Sequence, residues 1–140
     1  MTQIRINELR KVIRFLDNQI AEKTKEIKIL TDDMDKFNSD VDKCISNLES
    51  IGKKIENVKK EINDVQCEDN SCIPQIIDAN TIIENTISSS IVDIDEARST
   101  QIKNVNECLK SWNEELERLN NERAQKVTEL NSVQSTQFIN

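Results

Sequence analysis

Histidine and tyrosine are absent from this 140-residue chain, and glycine and proline occur once each, as Gly52 and Pro74. Without histidine neither a Ser-His-Asp triad nor a histidine-bearing zinc centre can be assembled, and one glycine cannot make a Gly-rich phosphate loop. No serine stands beside a visible base. No catalytic residue and no cofactor are therefore expected, and the carboxylates read as solvated helix faces. Three Phe and one Trp are little aromatic bulk for a globular core. No run of about 18 apolar residues occurs, so no membrane span is expected. The charged opening MTQIRINELRKVIRF lacks the apolar middle of a cleavable signal peptide. A cytoplasmic protein is expected, or one exported by a leaderless route.

What the chain does contain is charge, 32% of its residues, and it is acidic with a net charge of −7. Through Gln66 there are 13 basic and 13 acidic side chains; beyond it there are 6 against 13. No base lies between Lys60 and Arg98. That negative middle section disfavours phosphate backbones, so nucleic acid is not an expected partner.

The apolar residues are ordered. From Ile6 an apolar side chain recurs at alternating steps of three and four through Leu9, Ile13, Leu16 and Ile20 to Val58, Ile62 and Val65. An average step of 3.5 residues keeps one stripe of an under-wound helix facing a partner, the signature of a coiled-coil seam. In heptad letters Ile6, Ile13, Ile20, Ile27, Met34, Val41, Leu48, Ile55 and Ile62 are a positions. Leu9, Leu16, Leu30, Phe37, Ile51 and Val58 are d positions, with Cys44 also in the d series and Lys23 the one basic member.

The pattern breaks at CEDNSCIP, residues 67 to 74, where Asp69, Asn70 and Ser71 favour a turn and Pro74 is tolerated only in the first turn of a new helix. The second half carries a looser seam that includes Ile77, Ile83, Ile87, Ile91, Ile94, Ile102, Val105, Leu109, Trp112, Leu116 and Leu119. The expected fold is all-α, a long antiparallel two-helix coiled-coil hairpin. It forms one domain over residues 1–140, with helix one about 3–66, the turn 67–73 and helix two about 74–135.

If the chain folds back at Asp69 and Asn70, positions whose numbers add to about 139 face each other, as in any antiparallel helix pair. Leu9 then meets Leu130, Ile20 Leu119, Ile27 Trp112, Phe37 Ile102 and Leu48 Ile91. Three basic residues fall on the seam: Lys23 faces Leu116, Arg98 faces Val41 and Arg123 faces Leu16. Such side chains lay their stems on apolar surface while the charge reaches water, or set the register. Gly52, opposite Ile87 and beside Ser88–Ser90, marks either a bend or a layer of small residues in straight helices.

Cys67 and Cys72 sit across from one another at the turn, where a disulfide closing so small a loop contributes about 2 kcal/mol on the chain-entropy estimate. Free thiols are the alternative. A third reading is metal: two thiolates cannot fill a tetrahedral zinc site, but two hairpins meeting tip to tip supply four. In having paired cysteines at a hairpin turn the tip resembles the zinc-hook apex of certain DNA-repair ATPases, although its spacing is C-x-x-x-x-C rather than C-x-x-C. Cys44 and Cys108 lie roughly 20 Å apart along the helices, too far to bridge, and read as buried thiols in or beside the seam. Outside the seam, Phe15 and Ile29 share an outward c-position face with Ile4 nearby, and these three are the candidate contacts for a further helix.

Two long helices with a polar start and the C-terminal heptad segment NVNECLKSWNEELERLNNERAQKVTEL resemble the small helical partner proteins of LXG toxins in type VII secretion, relatives of WXG-type hairpins. The turn carries no W-x-G; the tryptophan is Trp112, followed by Asn113 and Glu114. The resemblance implies a non-enzymatic adaptor, targeting partner or chaperone that binds the helical domain of a secreted toxin. The alternative is a coiled-coil spacer or dimeriser acting through its cysteine-bearing tip. A protein partner with helical segments is expected in the first case, a homo-oligomer in the second.

Overall fold

A computed structural model describes residues 2–64 and 73–139. They form two helices, α1 over Thr2–Asp64 and α2 over Ile73–Ile139, with no strand among the described residues. Pro74 is the second residue of α2, where its fixed φ suits the helix and its missing N–H has no intrahelical acceptor to lose. Val65, Cys67 and Cys72 lie outside the described residues. So do the expected disulfide and the tip metal site.

The helices pack against each other antiparallel, and polar contacts along them give the direction. Arg5 pairs with Glu129, Asp17 with Arg123, Lys23 with Glu115, Asp42 with Arg98 and Lys59 with Thr81, each advance along α1 matched by a retreat along α2. A Cβ placed on Gly52 would lie 4.0 Å from Ile87 Cγ2, the pairing the mirror rule requires. The helices continue unbroken through Gly52 and through Ser88–Ser90.

Two compact units form, each from a stretch of both helices: unit 1 is Met1–Asp33 with Asn104–Asn140, and unit 2 is Met34–Lys103. In unit 1 the inward stripe of α1 follows the a and d positions. Ile6, Leu9, Leu16 and Leu119 are buried, at 3% exposure or less. Removing each from water stabilises the pair by roughly 1.5–3 kcal/mol. Ile13, Ile20, Ile27, Leu30, Trp112 and Leu116 are half-buried along the same seam.

Unit 2 departs from the expected seam. Its half-buried α1 residues are Met34, Asn38, Val41, Ile45, Leu48, Gly52, Ile55, Lys59 and Ile62, which are a and e positions. Phe37, Ile51 and Val58, read from the sequence as seam residues, are 37%, 46% and 45% exposed, and Cys44 is exposed rather than buried. The cause is two successive steps of four, Leu30 to Met34 to Asn38, which rotate the inward stripe by one position. Such a stutter locally unwinds a coiled coil. On α2 the inward residues Ile94, Arg98 and Ile102 also follow two steps of four, at the level that mirrors Ile45 to Phe37. The α1 stutter, Leu30 to Asn38, mirrors positions 109 to 101, so the two stutters adjoin one another along the pair. Ile83, another expected seam residue, is exposed, while Asn80, Thr81 and Glu84 turn inward.

Candidate functional site

The outward face of α1 in unit 1 carries the apolar residues singled out from the sequence. Ile4 is 62% exposed, Phe15 61% and Ile29 50%. Ile4 and Phe15 are eleven residues apart, close to three full turns, so they share a side; Phe15 and Ile29 are fourteen apart and share it again. Val12, one turn from Phe15 and also exposed, widens the strip. Side chains three and four apart on a helix form the ridges that a second helix packs into, which is what this face can offer chemically.

The three basic seam residues are each met by carboxylates. Lys23, its side chain only 17% exposed, sends Nζ to Glu26 Oε2 at 3.2 Å and Glu115 Oε2 at 3.3 Å, and lies 5.1 Å from the centroid of the Trp112 ring. Its neighbour across the seam is therefore the Trp112–Glu115 turn, with Leu116 behind. The hydrogen bond to Glu26, reinforced by Glu115, holds the ammonium above the ordinary lysine pKa against the opposing effect of burial. A cation over an indole face and between two carboxylates is fixed in place more firmly than a stem merely reaching for water.

Arg98 in unit 2 bonds to Asp42 across the pair and to Asp95 one turn back on its own helix, and these contacts, Asp42 first, raise its pKa. Arg123 in unit 1 bonds to Asp17. A further cross-helix pair, Arg5 with Glu129, has no counterpart in the seam pattern; the hydrogen bond from Arg5 is the main reason the Glu129 carboxyl sits below its ordinary value. The mirror rule alone does not identify these carboxylates, because each lies a position or more off the seam and is reached only by a long side chain.

A polar layer interrupts unit 2. Lys59 donates to Thr81 Oγ1 at 3.1 Å and approaches Glu84 Oε2 at 3.8 Å, while Thr81 donates to the Ile77 carbonyl. Glu84 Oε1 and Asn80 Nδ2 are buried without a partner among the described residues, as is Asn38 Oδ1 at the stutter. Of the cysteines among the described residues, Cys44 and Cys108 are free, Cys108 half-buried. No helix among the described residues is long and apolar enough to cross a membrane. Comparison of the chain with protein-family models, curated proteins and solved structures finds no match.

Proposed function

We propose that this chain is a non-enzymatic helical interaction protein, an adaptor or targeting partner whose α1 outer face receives helices of a second protein. The observation that carries this reading is the strip Ile4, Phe15 and Ile29, three large apolar side chains at half exposure or more that pack into neither seam. Exposed apolar surface on an otherwise strongly charged helix stabilises nothing within the hairpin, and it gains free energy only when another apolar face covers it. An amphipathic helix laid along such a strip is the economical solution. The resemblance to LXG-toxin partners supports the same reading and supplies the class of ligand: the helical N-terminal domain of a secreted toxin, delivered to an export machine of the type VII kind.

The test is co-purification of the intact chain from its native source followed by mass spectrometry. A stoichiometric helical protein should accompany it, and Phe15→Asp with Ile29→Asp should release that protein while circular dichroism of the hairpin stays unchanged. Recovery of the chain alone in every fraction, or full retention of the partner by the double variant, overturns the reading.

A further inference from the structure

A different surface, in unit 2, carries no charge in its two central rows. Because the inward stripe of α1 there is a and e, the d row of Phe37, Cys44, Ile51 and Val58 lies along one flank of the helix pair. The contact of Lys59 with Thr81 places the other flank of α1 beside Thr81 and Ser88, and Gly52, Lys59, Glu84 and Ser88 line one groove on that side. The d row therefore shares its flank with the α2 row Ile76, Ile83, Ser90 and Ala97, one heptad apart each. Neither row holds a charged residue, in a chain where 32% of residues are charged. The charged groups Asp42, Glu49, Glu56 and Asp95 belong to the opposite flank.

We propose that this uncharged face of unit 2 is where a second copy of the chain docks, α1 against α1 in opposite directions about Asn47. The row that rims the d stripe on its outer side reads Asp40, Asn47 and Lys54, all exposed, and neither Asp40 nor Lys54 is engaged in an ion pair among the described residues. A two-fold axis at Asn47 sets Asp40 of one copy beside Lys54 of the other, twice, and brings the two Asn47 amides together on the axis. Under the same operation Phe37 packs at the level of Val58, Cys44 at the level of Ile51, and the small residues Ser90 and Ala97 face each other, allowing the α2 helices to approach. A two-fold interface must be self-complementary in this way. Parallel, in-register docking would oppose Asp40 to Asp40 and Lys54 to Lys54.

The size also fits a second copy. The d row spans about 32 Å at roughly 1.5 Å per residue, and two helices side by side are about 20 Å wide, so the face offers on the order of 650 Å² per copy. A standard stable interface takes about 800 Å² per partner. On the α2 rim the same operation brings exposed Asp93 near its own copy, one like-charge contact against the two Asp40–Lys54 pairs.

Sedimentation of the full chain under reducing conditions tests this and separates it from any disulfide at the tip. A concentration-dependent dimer is expected. Asp40→Lys should weaken it about tenfold, and adding Lys54→Asp should restore the affinity to within about threefold, since two exposed pairs turn repulsive and then attractive again. Both sites are exposed, so these variants leave the hairpin folded. In a background of Cys67→Ser, Cys72→Ser and Cys108→Ser, Ile51→Cys should oxidise to a dimer joined between Cys44 and position 51, whereas Cys44 alone should not crosslink. A chain monomeric at every concentration, a dimer indifferent to the charge exchange, or crosslinking of Cys44 to itself would overturn the proposal.

Discussion

Lys23 and Trp112 meet across the helix pair of unit 1, the ammonium nitrogen 5.1 Å from the centre of the indole. Trp112 is the only tryptophan, so its fluorescence reports this contact without interference. Lys23→Gln removes the cation and both carboxylate contacts at once. Its emission should shift to longer wavelength and the thermal midpoint should fall. Unchanged emission would mean that the ring and the ammonium are not neighbours.

The same contact has a pH signature. The folded-state pKa of Lys23 is raised, chiefly by Glu26, so its contribution is complete below the ordinary lysine value and is lost as pH rises through the higher folded value. Alkaline titration followed by Trp112 emission should show a transition above the ordinary lysine range. Glu26→Gln should move that transition to lower pH.

Glu129 behaves in the opposite sense. Its carboxyl is lowered, first by the hydrogen bond from Arg5, so the stabilisation is present above the ordinary glutamate value and lost as pH falls through the folded one. Glu129→Gln should therefore flatten the acid side of the stability profile, measured by urea unfolding at a series of pH values. An identical acid profile would contradict the pairing.

Gly52 lies within a continuous helix, and the place of its missing Cβ is 4.0 Å from Ile87 Cγ2, an ordinary van der Waals distance. Alanine fits without displacing anything. Gly52→Ala should stabilise the chain by about 1 kcal/mol through helix propensity and reduced freedom of the unfolded chain. Destabilisation would show that the level needs a glycine for some reason other than packing.

The stutter predicts an inversion between neighbours. Asn38 turns inward with Oδ1 buried and unpartnered, whereas Phe37 stands 37% exposed. Asn38→Leu should raise stability by about 1 kcal/mol, since an unsatisfied buried group is replaced by apolar contact. In a strict a/d seam position 38 would face solvent and the substitution would be neutral, an outcome chemical denaturation distinguishes. By contrast Leu9→Ala, at a site 1% exposed, should cost about 3 kcal/mol.

Periodicity carried much of this structure. The a-position stripe from Ile6 to Ile62 and the facing series on α2 specify two helices, and their mirrored spacing specifies that they run in opposite directions. The exposed strip of Phe15 and Ile29 is equally legible, because a c position points away from a seam whatever its partner. The d residues Phe37, Cys44, Ile51 and Val58 were legible as apolar but not as uncovered. On α1 alone they continue the heptad without fault. The two steps of four through Arg98 are visible on α2, yet the basic side chain at their centre conceals them as a break in the seam.

By itself, then, the order of residues determined helix and direction, because hydrophobic spacing is a local property that one strand of sequence contains in full. Which row beside the a stripe of unit 2 would be covered, the apolar d row or the mixed e row of Asn38, Ile45, Gly52 and Lys59, was a tertiary decision. A single neighbouring helix can cover only about two stripes of another, α1 offers three there, and the choice of a and e over a and d depends on how the stutters of both helices meet. The carboxylates that hold Lys23, Arg98 and Arg123 were decided at the same level, since reach across a pair is set by the distance between axes and not by position along either chain.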